Sequence, residues 1–359
     1  MSHRAFLPHA PAPPREARLS FACFGGECTV IVADAQRSAD AAAAAAVSKR
    51  ALLSWHERFS RFALDSEISR FNRNPRDRVT VSPLLGRLVA MALRASRDTG
   101  GLVDATLGAE IERAGYRYSF TGDGLALEQA LALAPPRAPA RPSPADPAQR
   151  ISFDAARSEV QRRPGTVLDP GGVAKGVFAD ELATRLADFD AFAVDCAGDI
   201  RLGGRARIAR PIHVTSPFDG ARLHTFELCD GAIATSGIGK RSWLDADAHP
   251  AHHLLDPGTG RPAYTGVVQA TALAPTGAQA EVLAKAAVLS GPDGAAQWLR
   301  HGGMFVRDDG SYELLEPVGD ASGRLRSDPF ANRSASHPRI SVSTSSRSGS
   351  FKISWKRPG

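Results

Sequence analysis

The run Asp169-Pro170-Gly171-Gly172-Val173-Ala174-Lys175-Gly176 sets two glycines and a lysine against an apolar-periodic stretch, Val173, Val177, Leu182 and Leu186. Glycines at a helix start let backbone N–H groups approach an anion closely, and the helix dipole favours negative charge there. Lys175 falls in the first turn, where a cation opposes the dipole. A phosphate partner explains that placement; a lysine snorkelling from a Gly-rich loop leaves the same trace. The spacing is not a Walker A loop, which requires GxxxxGK[ST].

Other segments offer complementary chemistry. Arg58 to Asn72 (RFSRFALDSEISRFN) interleaves aromatic, arginine and carboxylate residues, a composition suited to stacking on a planar ring and equally to a helix end with phenylalanines in the core. In Gly101-Leu102-Val103-Asp104-Ala105-Thr106-Leu107-Gly108, Asp104 either caps the next segment or reads an N–H edge of a heterocycle. Val194 to Ile200 and Ala234 to Gly237 end strands in small residues, as pocket walls and plain turns both do. His252 and His253 precede the turn Asp256-Pro257-Gly258-Thr259-Gly260. Adjacent histidines point apart and chelate poorly together, so one acting as a general base or phosphate contact is the more physical expectation. Glu281 and Lys285 stand four apart on one helix face, the spacing of a favourable surface pair. Yet six lysines stand against 38 arginines, and Lys175, Lys240 and Lys285 all fall in or beside these segments.

The elements that must carry these residues follow from periodicity and punctuation. A strand is expected at Cys28–Val32 and an Ala-rich helix from about Ala39 to Glu57. Ser82-Pro83 reads as an N-cap and first helical position, with the helix stopping at Thr99-Gly100-Gly101. Strands are expected at Ile151–Phe153, Ser158–Gln161, Ala191–Val194, Ile212–Thr215, Thr225–Leu228 and Val267–Leu273. Helices are expected to Leu186, from about Ala278 to Ser290, and near Gly294–Leu299. Strands and helices alternate without regular βαβ units, which predicts a mixed α+β fold. The expected boundaries are a flexible lead-in at 1–19, the main domain at 20–320 with a Pro-rich surface linker at 134–150, and a basic, disordered Ser/Arg-rich tail at 321–359.

Charge and composition exclude several classes. The formal net charge of +6 is carried by Arg333, Arg339, Arg347, Lys352, Lys356 and Arg357 near the end, so the remaining body is neutral and no specific nucleic acid is expected. Four cysteines without CxxC spacing argue against a disulfide framework or a zinc site. The N-terminal stretch lacks the apolar core of a signal peptide, and no apolar run reaches membrane-spanning length, so a cytoplasmic protein is expected.

Taken in order, the segments resemble the FAD:protein FMN transferase (ApbE-like) family. The family pattern "SrFdpdSelsrlN … Ga.Dptvgpl … lDlGgiaKGyavD … GGdi … atSG … HiiDPrtG … ADalaTal" is met by RFSRFALDSEISRFN, GLVDATLG, LDPGGVAKGVFAD, CAGDI, ATSG, HHLLDPGTG and AEVLAKAAVL, over roughly residues 21–300. The resemblance implies one compact domain of two packed lobes, of the ApbE-like (T-fold-related) type. It implies FAD as substrate, Mg²⁺ as metal, and an acceptor protein carrying a flavinylation motif. By the same resemblance Phe62, Leu102, Val103, Asp104, Asp169, Lys175 and Leu255 contact FAD, Gly172 and Glu281 face the metal, and His253 and Lys285 are the catalytic candidates. The implied reaction moves FMN onto a Ser or Thr hydroxyl, with AMP leaving.

The sequence departs from the pattern where the metal would sit. The family helix carries Asp and Thr four apart, both facing Mg²⁺; here those positions are Glu281 and Lys285. A protonated lysine offers no lone pair. Three outcomes follow: a metal held by fewer ligands, a lysine supplying part of the metal's charge, or FAD binding without catalysis. Pro170 in the Asp-Pro-Gly-Gly block is a smaller departure. A non-catalytic FAD-binding protein and a metal-dependent FAD pyrophosphatase are the alternative functions.

Overall fold

Alternating side chains build the first hairpin. In β1 (Glu16–Cys23) Ala17, Leu19 and Phe21 pack inward while the residues between them face solvent, and the strand pairs antiparallel with β2 (Gly26–Ala33). The two residues that join them, Phe24 and Gly25, both have positive φ (55° and 75°), the conformation a two-residue hairpin favours. The computed structural model describes residues 16–119, 124–143, 147–316 and 339–342. Glu16–Leu19, expected in the flexible lead-in, are therefore part of an edge strand. The rest of that lead-in lies outside the described residues.

Helix α1 (Ser38–Phe59) follows, burying Ala41, Ala45, Ser48, Leu52, Trp55 and Phe59 at three- and four-residue steps. Then come α2 (Glu67–Arg73), β3 (Arg78–Thr80), α3 (Pro83–Asp98), α4 (Gly108–Arg113), α5 (Leu127–Leu133), β4 (Ile151–Asp154), β5 (Glu159–Arg162) and α6 (Ala174–Leu186). The Ser82 hydroxyl accepts the Leu85 N–H at 3.2 Å, which makes it the expected N-cap of α3. The remaining strands are β6 (Ala191–Cys196), β7 (Asp199–Gly203), β8 (Arg210–Thr215), β9 (Arg222–Leu228), β10 (Gly231–Gly237), β11 (Ser242–Leu244), β12 (Pro250–His252), β13 (Leu255–Asp256), β14 (Arg261–Pro262) and β15 (Val267–Ala274). Helices α7 (Gly277–Leu289) and α8 (Gly291–Ala295) precede β16 (Gly303–Arg307), β17 (Tyr312–Leu315) and β18 (Arg339–Val342). The helix expected near Gly294–Leu299 is instead the end of α8 and one 3₁₀ turn, Ala296–Trp298.

Nine strands form one antiparallel sheet in the order β1-β2-β6-β7-β10-β15-β16-β17-β18. Its central strands are covered on both faces, and the two-residue side-chain period divides them between two cores. Val30, Val32, Phe192 and Val194 face a core shared with α1, α3 and α6. Ile31 and Ala193 face the other, built with β8, β9, β10, β15 and α7. The expected mixed α+β fold with two packed lobes takes this form, the lobes being two cores on one sheet.

The Pro-rich stretch, expected as a surface linker, is docked by backbone hydrogen bonds. The Ala138 N–H donates to the Tyr264 carbonyl, Ala140 to Leu289 and Ser143 to Gly101, at 3.1, 2.8 and 3.3 Å, and Ala140 is buried. Proline fixes φ without forbidding such extended docking. The expected tail from 321 lies outside the described residues, except Arg339–Val342, which pair with β17 as the outermost strand.

Helices α6 and α7 touch at their N-termini through Gly176. A Cβ there would lie 2.4 Å from the Gly277 carbonyl carbon and 2.5 Å from the Ala278 nitrogen. Asp180 reinforces the contact by accepting the Gly277 and Ala278 N–H groups at 2.7 and 3.0 Å, two donors that a helix start leaves without intrahelical partners. Gly176→Ala must therefore part the two helices. The expected cost is about 1–3 kcal/mol of stability, read from the urea midpoint; an unchanged midpoint would contradict so close a contact.

Candidate active site

One cavity of about 580 Å³ is walled by the β1–β2 and β6–β7 turns, β8, β10, the start of α6 and one face of α7. All eleven site residues expected from the sequence line it: Phe62, Leu102, Val103, Asp104, Asp169, Gly172, Lys175, His253, Leu255, Glu281 and Lys285. The strand-end segments meet there as well, through Asp195, Ala197, Gly198, Thr235, Ser236 and Gly237.

The α6–α7 contact sets two lysines and two carboxylates together. Lys175 Nζ lies 2.6 Å from Asp199 Oδ2, and Lys285 Nζ donates to Glu281 Oε1 at 3.0 Å. The other Glu281 oxygen accepts the Gly176 N–H at 2.9 Å. Glu281 is 1 % exposed at its side chain and Lys285 13 %, so the surface pair suggested by the spacing is a buried one. Burial opposes the charge of Glu281, but Lys285, Lys175 and the Gly176 N–H outweigh it and hold its pKa below the ordinary carboxylate value. Burial likewise opposes the Lys175 ammonium; Asp199 and Glu281 outweigh it and raise the lysine pKa. The oddly placed cation of the sequence thus has a carboxylate partner, on a strand that the Gly-rich loop gave no hint of.

Asp195 and Asp199 flank the β6–β7 turn, where Ala197 and Gly198 both take positive φ (56° and 99°). The Gly198 N–H donates to Asp195 Oδ1 at 2.7 Å. Burial, with help from the Asp199 charge, pushes the Asp195 pKa up to about 6. Burial and the nearby Lys175 lower the Lys240 pKa at the same wall.

A second cluster gathers around Arg61. Its Nε is 3.2 Å from Asp169 Oδ2, and its guanidinium lies 4.3 Å from the Phe62 ring centre and 4.6 Å from that of Tyr116. Tyr116 stacks on Trp243 at 5.3 Å, and Trp243 Nε1 donates to the Ala114 carbonyl at 2.8 Å. Asp169 Oδ1 accepts the Gly171 N–H at 2.9 Å and so folds the Pro170–Gly172 turn that opens α6. Asp104 joins both of its sequence readings. Oδ1 accepts the Thr106 N–H and hydroxyl at 2.8 and 2.6 Å, whereas Oδ2 is buried without a hydrogen bond, with Arg150 3.8 Å away. A buried acceptor of that kind suits an N–H edge.

The two histidines separate as expected. His252 Nδ1 accepts the Leu254 N–H, its ring packs edge-on against Tyr264, and burial lowers its pKa to about 3. His253 lines the cavity with an Nδ1 that has no hydrogen-bond partner. Burial drives its pKa well below the ordinary imidazole value, and Arg241, His252 and Lys285 add to the shift, so the ring is neutral. Asp256 organises the adjoining turn. Its Oδ1 accepts N–H bonds from Gly258 and from Arg141 of the Pro-rich stretch, which ties that stretch to the cavity rim.

The profile of the ApbE family matches residues 24–306. The chain belongs to the ApbE family. A Haemophilus influenzae protein named FAD:protein FMN transferase is 25% identical over 261 residues, covering 67% of this chain and 70% of the relative. The ApbE protein of Thermotoga maritima has a similar structure, with a TM-score of 0.69 at 22% identity over 87% of this chain and 100% of the other. The Vibrio cholerae protein entitled Flavin Transferase ApbE gives 0.62 at 20% over the same shares.

Among ApbE-family features, the expected magnesium position fits this chain poorly. A hard divalent cation asks for several oxygen ligands in octahedral array. Here both Glu281 oxygens are engaged, Oε2 by the Gly176 N–H and Oε1 by the Lys285 ammonium. Asp199 is paired with Lys175, and both Asp180 oxygens accept N–H groups. Among the described residues the one group of three potential ligands is Asp245, Asp247 and His249, in the β11–β12 connection and outside the cavity lining. Asp195, Asp199, Asp180, Tyr116 and Trp243 are site-building residues that sequence reasoning did not assign; the first two stood within a segment already singled out.

Proposed function

We propose that this chain transfers the FMN half of FAD onto a Ser or Thr hydroxyl of an acceptor protein. The observation that carries the reading is the convergence of all eleven expected residues, drawn from five separate stretches of chain, on one cavity. The names of the curated relatives support the same reading. Among the described residues no helix is long and apolar enough to cross a membrane.

The geometry supports the following roles. The aromatic and apolar wall of Phe62, Leu102 and Val103 takes the flavin ring, with Asp104 Oδ2 accepting from its N–H edge. Asp169 holds the Gly171 N–H and so fixes the turn that opens α6, whose helix dipole receives the diphosphate beside Lys175. Leu255 packs along the adenine side. The acceptor oxygen bonds to the FMN-side phosphorus as the bridging P–O bond breaks, and AMP leaves with the bridging oxygen. His253 takes the hydroxyl proton at its unpartnered ring nitrogen; the diphosphate's negative charge raises its pKa toward the working range. Fixed cations stabilise the charge that develops on phosphorus and leaving group.

The test is incubation with FAD and a carrier bearing Asp-Gly-x-[Ser/Thr]-[Ser/Gly]-Ala-Thr, with and without Mg²⁺, followed by denaturing electrophoresis. Flavin fluorescence retained on the carrier is the expected result. Free FMN and AMP without labelling would make the chain a pyrophosphatase, and intact FAD would make it a binding protein.

A further inference from the structure

The poor fit at the magnesium position has a constructive side. Lys285 lies between Gly172 and Glu281, the two residues expected to face a metal. Its Nζ is on Glu281 Oε1, and its Cε and Cδ would lie 3.5 and 3.8 Å from a Cβ on Gly172. The side chain therefore spans from α7 to the turn that opens α6, filling the space between the two expected metal ligands. It is held there by burial and by a carboxylate whose other oxygen is anchored on the Gly176 N–H.

We propose that the Lys285 ammonium is this chain's resident cation, and that the chain acts on the diphosphate of FAD without a divalent metal held by Gly172 and Glu281. The proposal rests on the flavin-transfer reading for its substrate. A lysine at this point brings one positive charge and three directed donors, with no lone pair for a metal. One donor is spent on Glu281. The others remain for the cavity, which Lys285 lines from α7 and Lys175, also on its carboxylate, lines from α6. The two ammonium groups approach a diphosphate from different helices, which is the clamp a bridging metal provides in other phosphoryl-transfer sites. Glu281 then works as the holder of Lys285 rather than as a metal ligand.

Two measurements test this independently. In the first, Mn²⁺ is titrated into wild type, Lys285→Thr and Lys285→Arg, each alone and with FAD, and the free-ion EPR signal is followed. Wild type and Lys285→Arg are expected to leave the signal of 100 μM Mn²⁺ unchanged, on the order of the affinity range of oxygen-ligand metal sites. Lys285→Thr is expected to remove about one equivalent. Stoichiometric Mn²⁺ binding by the wild type, or none by a folded Lys285→Thr, overturns the proposal. In the second, AMP release is compared in EDTA and in Mg²⁺. Wild type should change less than about twofold, and Lys285→Thr should fall at least about tenfold in EDTA and recover with Mg²⁺. A wild type that needs Mg²⁺ overturns the proposal. If no flavin is transferred at all, the EPR result still decides the metal question, so the two failures are told apart.

Discussion

Lys175→Met is expected to lower the stability of the protein by about 3–5 kcal/mol, the range found when one member of a buried ion pair is removed. Methionine keeps the length of the side chain, so the loss comes from charge. Asp199 is 2 % exposed at its side chain, and its Oδ2 has no partner among the described residues other than Lys175. The variant leaves that carboxylate buried beside Glu281, whose charge repels it. The double variant Lys175→Met/Asp199→Asn should recover most of the loss, because it removes the orphaned charge and keeps the shape. Urea unfolding of the four proteins of the cycle measures the coupling. A single-variant loss below about 1 kcal/mol would show that the pair is not the buried contact described.

Asp195→Asn should act in the opposite direction. Its carboxyl has a pKa of about 6 in the fold against 3.8 for the ordinary side chain. The unfolded chain therefore releases this proton first, and stability falls as pH rises from about 4 to about 6, with the full deficit present above that window. About two pH units correspond to about 3 kcal/mol. Asparagine keeps an oxygen for the Gly198 N–H and carries no proton to lose. At pH 7 the variant is expected to be more stable than wild type by up to about 3 kcal/mol, with the difference closing below pH 4. Equal midpoints at pH 7 and pH 4 would refute the raised pKa. A more stable variant with weaker turnover would place Asp195 among residues kept for activity at the expense of the fold.

These two residues show where sequence reading reaches and where it stops. The Asp169–Gly176 loop was legible because its structure is local: an Asx-type turn, two glycines and a helix start occupy eight consecutive residues. The Ser82 cap was legible for the same reason. Asp199 as the partner of Lys175 was not, because the β6–β7 turn delivers it from another element and no spacing encodes a contact between strands. Tyr116 and Trp243 stack across an even longer separation in sequence, with nothing in either neighbourhood to announce it. The edge strand Glu16–Cys23 did carry a signal, the alternation of Ala17, Leu19 and Phe21, which the adjoining prolines and arginines obscured. Prolines also suggested a surface linker at 134–150, since composition reports that a segment forms no helix or ladder but not whether it docks. Glu281 and Lys285 were correctly placed on one face, but burial turns a routine i, i+4 pair into an ion pair buried in the cavity wall.

The path of the chain through the sheet also bears on how the cavity comes into being. From β6 to β17 the main-sheet strands pair in the order in which they are synthesised, each with its predecessor in that series. The pairing of Ala33 with Ala191 interrupts this order, because α1 to α6 all lie between those two partners. The meander can assemble through short closures, whereas β1 and β2 must wait for a distant strand, the kind of contact that slows folding. The thermodynamic penalty for that long excursion is modest, since closure of a flexible loop costs only about 0.6 kcal/mol more for each doubling of its length. The kinetic consequence is larger. Phe62 and Asp104 belong to the excursion, whereas His253 and Glu281 lie on the stretch of chain that carries the meander, so the cavity they line can close only when the two have met. The binding cavity is thus a late product of folding, and a nascent chain acquires a sheet before it acquires a site.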